Sequence, residues 1–185
     1  MKKVKAKNIK TLDMVCIALF VALITVCSWV SIPSTVPLTM QTFGIFCAVG
    51  LLGGKSGTIT IITYVLLGLV GAPVFAGFKS GVGTLFGATG GYIIGFIFLA
   101  ITYWIITSLF GEKTIAMIIA MLVSLIVCYA FGTAWFVLMY AQNFKEMGVV
   151  SAINMCVVPF IIPDVFKIFL ATFVVKKVSP YIKTQ

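Results

Sequence analysis

Val158-Pro159-Phe160-Ile161-Ile162-Pro163-Asp164-Val165-Phe166-Lys167 sets two prolines, one acid and one base inside a segment that is otherwise apolar from about 153 to 175. A run of that length can cross a bilayer. A charged side chain inside such a span costs roughly 2.5–3.5 kcal/mol on insertion scales. Asp164 and Lys167 are three positions apart, so on a helix they share a face. Pro163, directly before Asp164, suits the first turn of a helix, where a missing N–H loses no partner. The expected picture is a broken span that restarts near Pro163 and turns an ion pair inward. Two uses of the pair stay open. One is a mutual salt bridge that makes helix packing tolerable. The other is a polar ligand gripped at membrane depth, the default reading of an intramembrane ionisable group.

The rest of the composition agrees with a membrane setting. The chain has 185 residues, 62% hydrophobic and 9% charged, against about 25% charged in a soluble domain. The fold class expected is an all-α integral membrane protein, a single domain over residues 1–185. No soluble unit is present to hold a nucleotide. The net charge of +9 does not signal nucleic acid, because the lysines sit mostly at the ends and short turns, as membrane topology demands. There is no histidine and no Cys-x-x-Cys, so neither a metal nor a cofactor is expected. Cys16, Cys27, Cys47, Cys128 and Cys156 lie in apolar runs and read as small buried hydrophobes.

Six spans are expected, at about 12–32, 42–52, 58–70, 92–110, 114–140 and 153–175. A basic head before the first run could mark a signal peptide. The run is too long for one and no small-x-small cleavage site follows, so a retained span is expected. Ala18 and Ala22 share one face of it, a spacing that lets another helix approach closely. The second run is short for a full crossing. Gly53-Gly54-Lys55-Ser56-Gly57 makes a tight turn, and its glycine spacing does not fit a phosphate-binding loop. The segment from Gly71 to Gly91 is dense in glycine, which permits tight turns and close backbone approach. With six spans, ten of the thirteen lysines (2, 3, 5, 7, 10, 55, 113, 176, 177 and 183) fall on one side, while Lys79 and Lys145 fall opposite. By the positive-inside rule both termini are then cytoplasmic. The connections at 31–41, 71–91 and 142–148 face outward, where a solute arrives.

The acid–base pair with nearby Thr39, Gln41 and aromatic rings offers one acceptor-only group and several donors. That set suits a small ligand with N–H donors and a carbonyl, such as a cyclic urea. Lys79 could hold a carboxylate at the far end of such a ligand, or be an ordinary solvated lysine. Phe43, Phe75, Phe78, Trp29 and Trp135 could wall a pocket, although aromatics near membrane ends are commonly interface anchors. Catalysis by an intramembrane hydrolase needs a histidine, a nucleophile–base pair or clustered acids. Four widely spread acids argue against an enzyme, and no catalytic residue is expected.

Four motifs in order, Val36-Pro-Leu-Thr-Met-Gln-Thr-Phe43, Gly71-Ala-Pro-Val-Phe75, Gly87-Ala-Thr-Gly-Gly-Tyr92 and Pro159-Phe-Ile-Ile-Pro-Asp-Val-Phe-Lys167, resemble the BioY family, the biotin-binding S components of energy-coupling factor (ECF) transporters. The resemblance covers nearly the whole chain. It implies a six-helix S-component bundle in the cell membrane with both termini cytoplasmic. It implies biotin as the transported ligand and no resident cofactor. The partners implied are a transmembrane T component and two ATP-binding-cassette ATPases, which alone would use ATP. The substrate-binding residues are then Asp164, Lys167, Gln41, Thr39, Lys79, Tyr92 and Phe75, and Ala18 and Ala22 resemble the alanine pair that docks on the T component. The chain departs from the family at Ile162-Pro163, where Pro-Gly is usual, at Ala88 in place of a proline, and at Ile93, where some members carry arginine. Lys79 is the candidate substitute for that arginine's carboxylate contact. An S component for another vitamin and a solitary small-solute transporter are the alternatives.

Overall fold

The computed structural model describes residues 11–32, 36–143 and 148–182. The sidedness expected of the head lysines, Lys145 and Lys183 falls outside those residues. The chain is built from apolar helical runs punctuated by glycine and proline. Helix α1 (Thr11–Trp29) leads into a two-residue strand β1 (Ser31–Ile32), which pairs antiparallel with β2 (Leu38–Thr39), Ser31 opposite Thr39. Helix α2 (Gln41–Leu69) follows, then a 3₁₀ turn (Ala76–Phe78), the short α3 (Val82–Leu85), α4 (Gly90–Phe110), α5 (Thr114–Asn143), α6 (Val149–Cys156) and α7 (Val158–Ile182). Among the described residues, five helices are long and apolar enough to cross a membrane.

Helix α2 is one run of 29 residues with a break at Gly53, whose φ of 77° and ψ of 170° leave the helical region. The break is a reversal. Gln41 Nε2 lies 2.8 Å from the Tyr64 hydroxyl, 23 positions later, whereas a straight helix would hold those positions about 35 Å apart. The limbs 41–52 and 54–69 therefore pack side by side. Gly57 makes this possible, since a Cβ added there would sit 2.7 Å from the Val49 Cα on the other limb. The turn expected over residues 53–57 contracts to Gly53 alone, because residues 54–57 already meet the helical hydrogen-bond pattern.

The break before α7 also differs from expectation. It falls at Val157 (φ −120°, ψ −54°), not near Pro163. Pro159 takes the place in the first turn of α7, where proline is tolerated. Pro163 then lies inside the helix and forfeits the bond to the Pro159 carbonyl.

The core lies around α2. Phe46, Ile45, Ile61, Tyr64, Leu99, Met121 and Ile168 are fully buried in it. Gly50 faces Val175 of α7, and Gly53 faces Glu112 in the α4–α5 turn. These contacts gather the Gly53 reversal, the 111–113 turn and the end of α7 at one end of the bundle. The β1–β2 ribbon, the glycine-rich segment and the start of α7 meet at the other. The outer face of α1 is bare, with Ala18 and Ala22 exposed beside Leu19, Leu23 and Val26.

Gly57→Val should lower stability by about 1–3 kcal/mol through overpacking against backbone that cannot yield. Gly83→Ala, where an added Cβ meets nothing within 4 Å, should stay within about 0.5 kcal/mol. Thermal unfolding in detergent reads both, and equal melting temperatures would contradict the hairpin packing.

Candidate ligand-binding site

Helix α7 carries Asp164 and Lys167 one turn apart, both buried, with Lys167 Nζ 2.7 Å from Asp164 Oδ1. Each has further partners from other elements. Lys167 donates to the main-chain carbonyl of Thr39 at 2.6 Å and to Thr42 Oγ1 at 3.1 Å. Thr42, in the first turn of α2, donates its own proton to Asp164 Oδ1 at 2.8 Å. Tyr129, midway along α5, donates to Asp164 Oδ2 at 2.5 Å. The pair thus ties α7 to the ribbon, to α2 and to α5. No buried side-chain nitrogen or oxygen lacks a partner among the described residues.

The pair forms part of the wall of a cavity of about 540 Å³, within the roughly 300–1,000 Å³ typical of small-molecule sites. Asp164, Lys167, Gln41, Thr39, Lys79, Tyr92 and Phe75, scattered in sequence, all line it. Gln41 gives its amide N–H to Tyr64 Oη, and Tyr64 donates in turn to the Val74 carbonyl at 2.7 Å. Ser28 Oγ lies 2.6 Å from the same carbonyl. This chain of bonds fastens the glycine-rich segment to α1 and to both limbs of α2. Phe75 is buried edge-on against Tyr64, ring centres 5.6 Å apart. Its seat exists because residue 68 is glycine, where an added Cβ would fall 2.0 Å from the ring. Tyr92 opens α4 and shares a hydrogen bond with Thr133 at 2.9 Å. Lys79 is exposed and has no ion-pair partner among the described residues. Ile93 is buried and gives the wall an apolar surface.

The remaining aromatic candidates stand apart from the lining. Phe78 is exposed and stacks on Trp29, ring centres 4.8 Å apart. Trp135 donates to the Gly87 carbonyl at 3.1 Å and steadies the segment from behind. Phe43 packs on the core. Thr42 and Tyr129 were not singled out by sequence. Thr42 adjoins Gln41 in a quoted motif, so its place was readable there. Tyr129 is one of several hydroxyl side chains along a mostly apolar helix, and only the tertiary fold reveals its partner. Tyr129 and Leu125 also face an apolar groove of about 840 Å³ between α5 and the α6–α7 pair. Those two side chains stand between groove and cavity.

The fold and site together are those of a helical membrane protein with a cavity, apolar but for a few polar groups, set into one end. The BioY family model matches residues 1–184, and the chain belongs to that family. It is similar to a Thermotoga maritima protein named biotin transporter BioY, 40% identical over 158 residues, which cover 84% of this chain and 89% of the relative. A probable biotin transporter BioY of Pyrococcus horikoshii is 34% identical, with 88% of this chain and 93% of the relative covered. Among solved structures, the S component for biotin of an ECF-type ABC transporter aligns with a TM-score of 0.81 and 26% identity, over 94% of this chain and 93% of that one.

Thr42→Val removes a bond from each member of the ion pair, and buried unmet groups cost about 1–3 kcal/mol. The ligand-free protein should lose about that much stability, and Thr42→Ser should lose little. Melting temperatures of the two variants decide it, and parent-like unfolding of Thr42→Val would show that the pair does not depend on Thr42.

Proposed function

We propose that this chain is the biotin-specific S component of an ECF-type vitamin uptake transporter, capturing biotin from outside the cell and delivering it to the cytoplasm. The observation that carries the reading is the buried, hydrogen-bonded Asp164–Lys167 pair, 2% and 5% exposed, opening on a cavity inside a membrane bundle. An ion pair kept only for packing needs no cavity beside it. The names of the relatives and of the matching solved structure support the choice of ligand.

In this reading Asp164 accepts an N–H donor of the ureido ring, and Lys167 holds the carboxylate in place. Thr39, Gln41, Tyr92 and Phe75 shape the pocket around the bicycle. Lys79, exposed at the rim, faces the valerate carboxylate in place of the arginine some relatives would carry at the position of Ile93. The protein crosses the cell membrane six times, the two limbs of α2 counting separately, with both termini cytoplasmic. The lysines at 55, 113, 176 and 177 support this orientation, since they share the end of the bundle opposite the cavity. Transport requires a transmembrane T component and two ABC ATPases that supply the ATP-driven step. The chain performs no catalysis and carries no cofactor. Ala18 and Ala22, exposed on the bare face of α1, form the docking strip for the T component.

Purified protein should bind biotin saturably. Charge-assisted hydrogen bonds contribute about 1.5–3 kcal/mol each, so Asp164→Asn should weaken binding by roughly one to two powers of ten, with the ligand-free melting temperature as control. Lys79→Ala should cost less affinity toward a biotin amide than toward biotin. A folded Asp164→Asn protein with parental affinity would return the pair to a packing role.

Docking is tested separately. Ala18→Trp combined with Ala22→Trp should abolish co-purification with the energising subunits and leave biotin affinity intact. Normal assembly of the double variant would refute the docking strip.

A further inference from the structure

A count of donors and acceptors at the ion pair narrows what the site can offer a ligand. An ammonium has three N–H donors. Those of Lys167 meet Asp164 Oδ1, the Thr39 carbonyl and Thr42 Oγ1 at 2.7, 2.6 and 3.1 Å. The single proton of Thr42 also goes to Oδ1, at 2.8 Å. A carboxylate has about four acceptor positions, two on each oxygen. Oδ1 has both of its positions filled. Oδ2 receives the Tyr129 hydroxyl and keeps one position. Tyr129, having given its proton to Asp164, presents only oxygen lone pairs. Asp164 and Tyr129 both line the cavity.

We propose that Tyr129 is a substrate-positioning residue, which by bonding Asp164 Oδ2 fixes the carboxylate so that it accepts one ligand N–H and no more. The inference rests on the biotin-binding reading above. At this corner Asp164 and Tyr129 present acceptors and no donor, so they take an N–H of the ligand. Lys167, with its three donors taken, holds Asp164 and the ribbon in place. A residue needed at position 129 only for packing would require no hydroxyl, and phenylalanine would serve. The hydroxyl also holds the ring in the wall between the cavity and the α5–α7 groove, because its partner sits on α7.

The test is a two-by-two cycle on the full chain in detergent, with biotin as the probe. Parent, Tyr129→Phe, Asp164→Asn and the double variant are titrated by calorimetry. A hydrogen bond to a charged group is worth at least about one power of ten in affinity. Tyr129→Phe should therefore raise Kd about tenfold in the parent background and less than about twofold in the Asp164→Asn background. That non-additivity is the signature of action through Asp164, and a packing role would not produce it. Tyr129→Phe binding within twofold of the parent, or an equal loss in both backgrounds, would overturn the positioning role. Failure of the parent to bind biotin would overturn this inference together with the function it rests on. Loss of binding in Asp164→Asn with full retention in Tyr129→Phe would overturn this inference alone.

Discussion

A carboxylate and an ammonium taken out of water lose several kcal/mol of solvation apiece, and their attraction restores this only when geometry is good and every remaining donor and acceptor is met. In a bilayer no water is at hand to complete a partial set. The Asp164–Lys167 pair meets this condition at all but one position, on Asp164 Oδ2, by recruiting a main-chain carbonyl, a threonine and a tyrosine from three elements distant in sequence. The ribbon, the first turn of α2, the middle of α5 and the start of α7 must all be in place before the charges are tolerable. Breaking such a pair by removing one partner costs about 3–5 kcal/mol. The pair is therefore both an organiser of the cavity end of the bundle and the most expensive feature in it to leave half-made.

Hydrogen bonds weigh differently at the two ends of the bundle. At the Gly53 end close packing suffices, and glycines at 50, 54 and 57 let backbone and side chains of neighbouring helices approach to within the space a methyl group would fill. Dispersion over such surfaces is weak per atom and large in sum. At the cavity end glycines 68 and 91 allow the same close approach, to Phe75 and Trp135, and hydrogen bonds are added where there is space to leave open. The Gln41–Tyr64–Val74 relay and the Trp135 bond to Gly87 hold the glycine-rich segment across the opening.

Much of this was legible in the sequence. Apolar run lengths reported membrane helices, and the isolated Asp164 and Lys167 stood out because charge is rare in such runs. The motif around Gln41 and the glycine-rich segment pointed to the same end of the molecule. Residues 53–57 read as a turn of five residues, three of them glycine. Glycine permits a turn without requiring one, and Gly53 at positive φ is enough to reverse the chain. The break before α7 was placed six residues late for a related reason. Two prolines can each open a helix, and only the preceding α6 settles which one does. Tyr129 lay beyond sequence reasoning because its meaning comes from an acid 35 positions away.

The Lys167 bond to Thr39 ends on a main-chain carbonyl, and every residue type has one. The tether between α7 and the ribbon is therefore indifferent to which side chain stands at the ribbon's end. Drift can rewrite the ribbon's surface, and with it the look of the entrance, while the anchor stays intact. The same freedom does not extend to the other partner, since no other side chain brings a permanent point charge on so long and pliable a stem to that carbonyl. The demand on side-chain identity is thus lopsided across this single hydrogen bond, strict at Lys167 and absent at the carbonyl it holds.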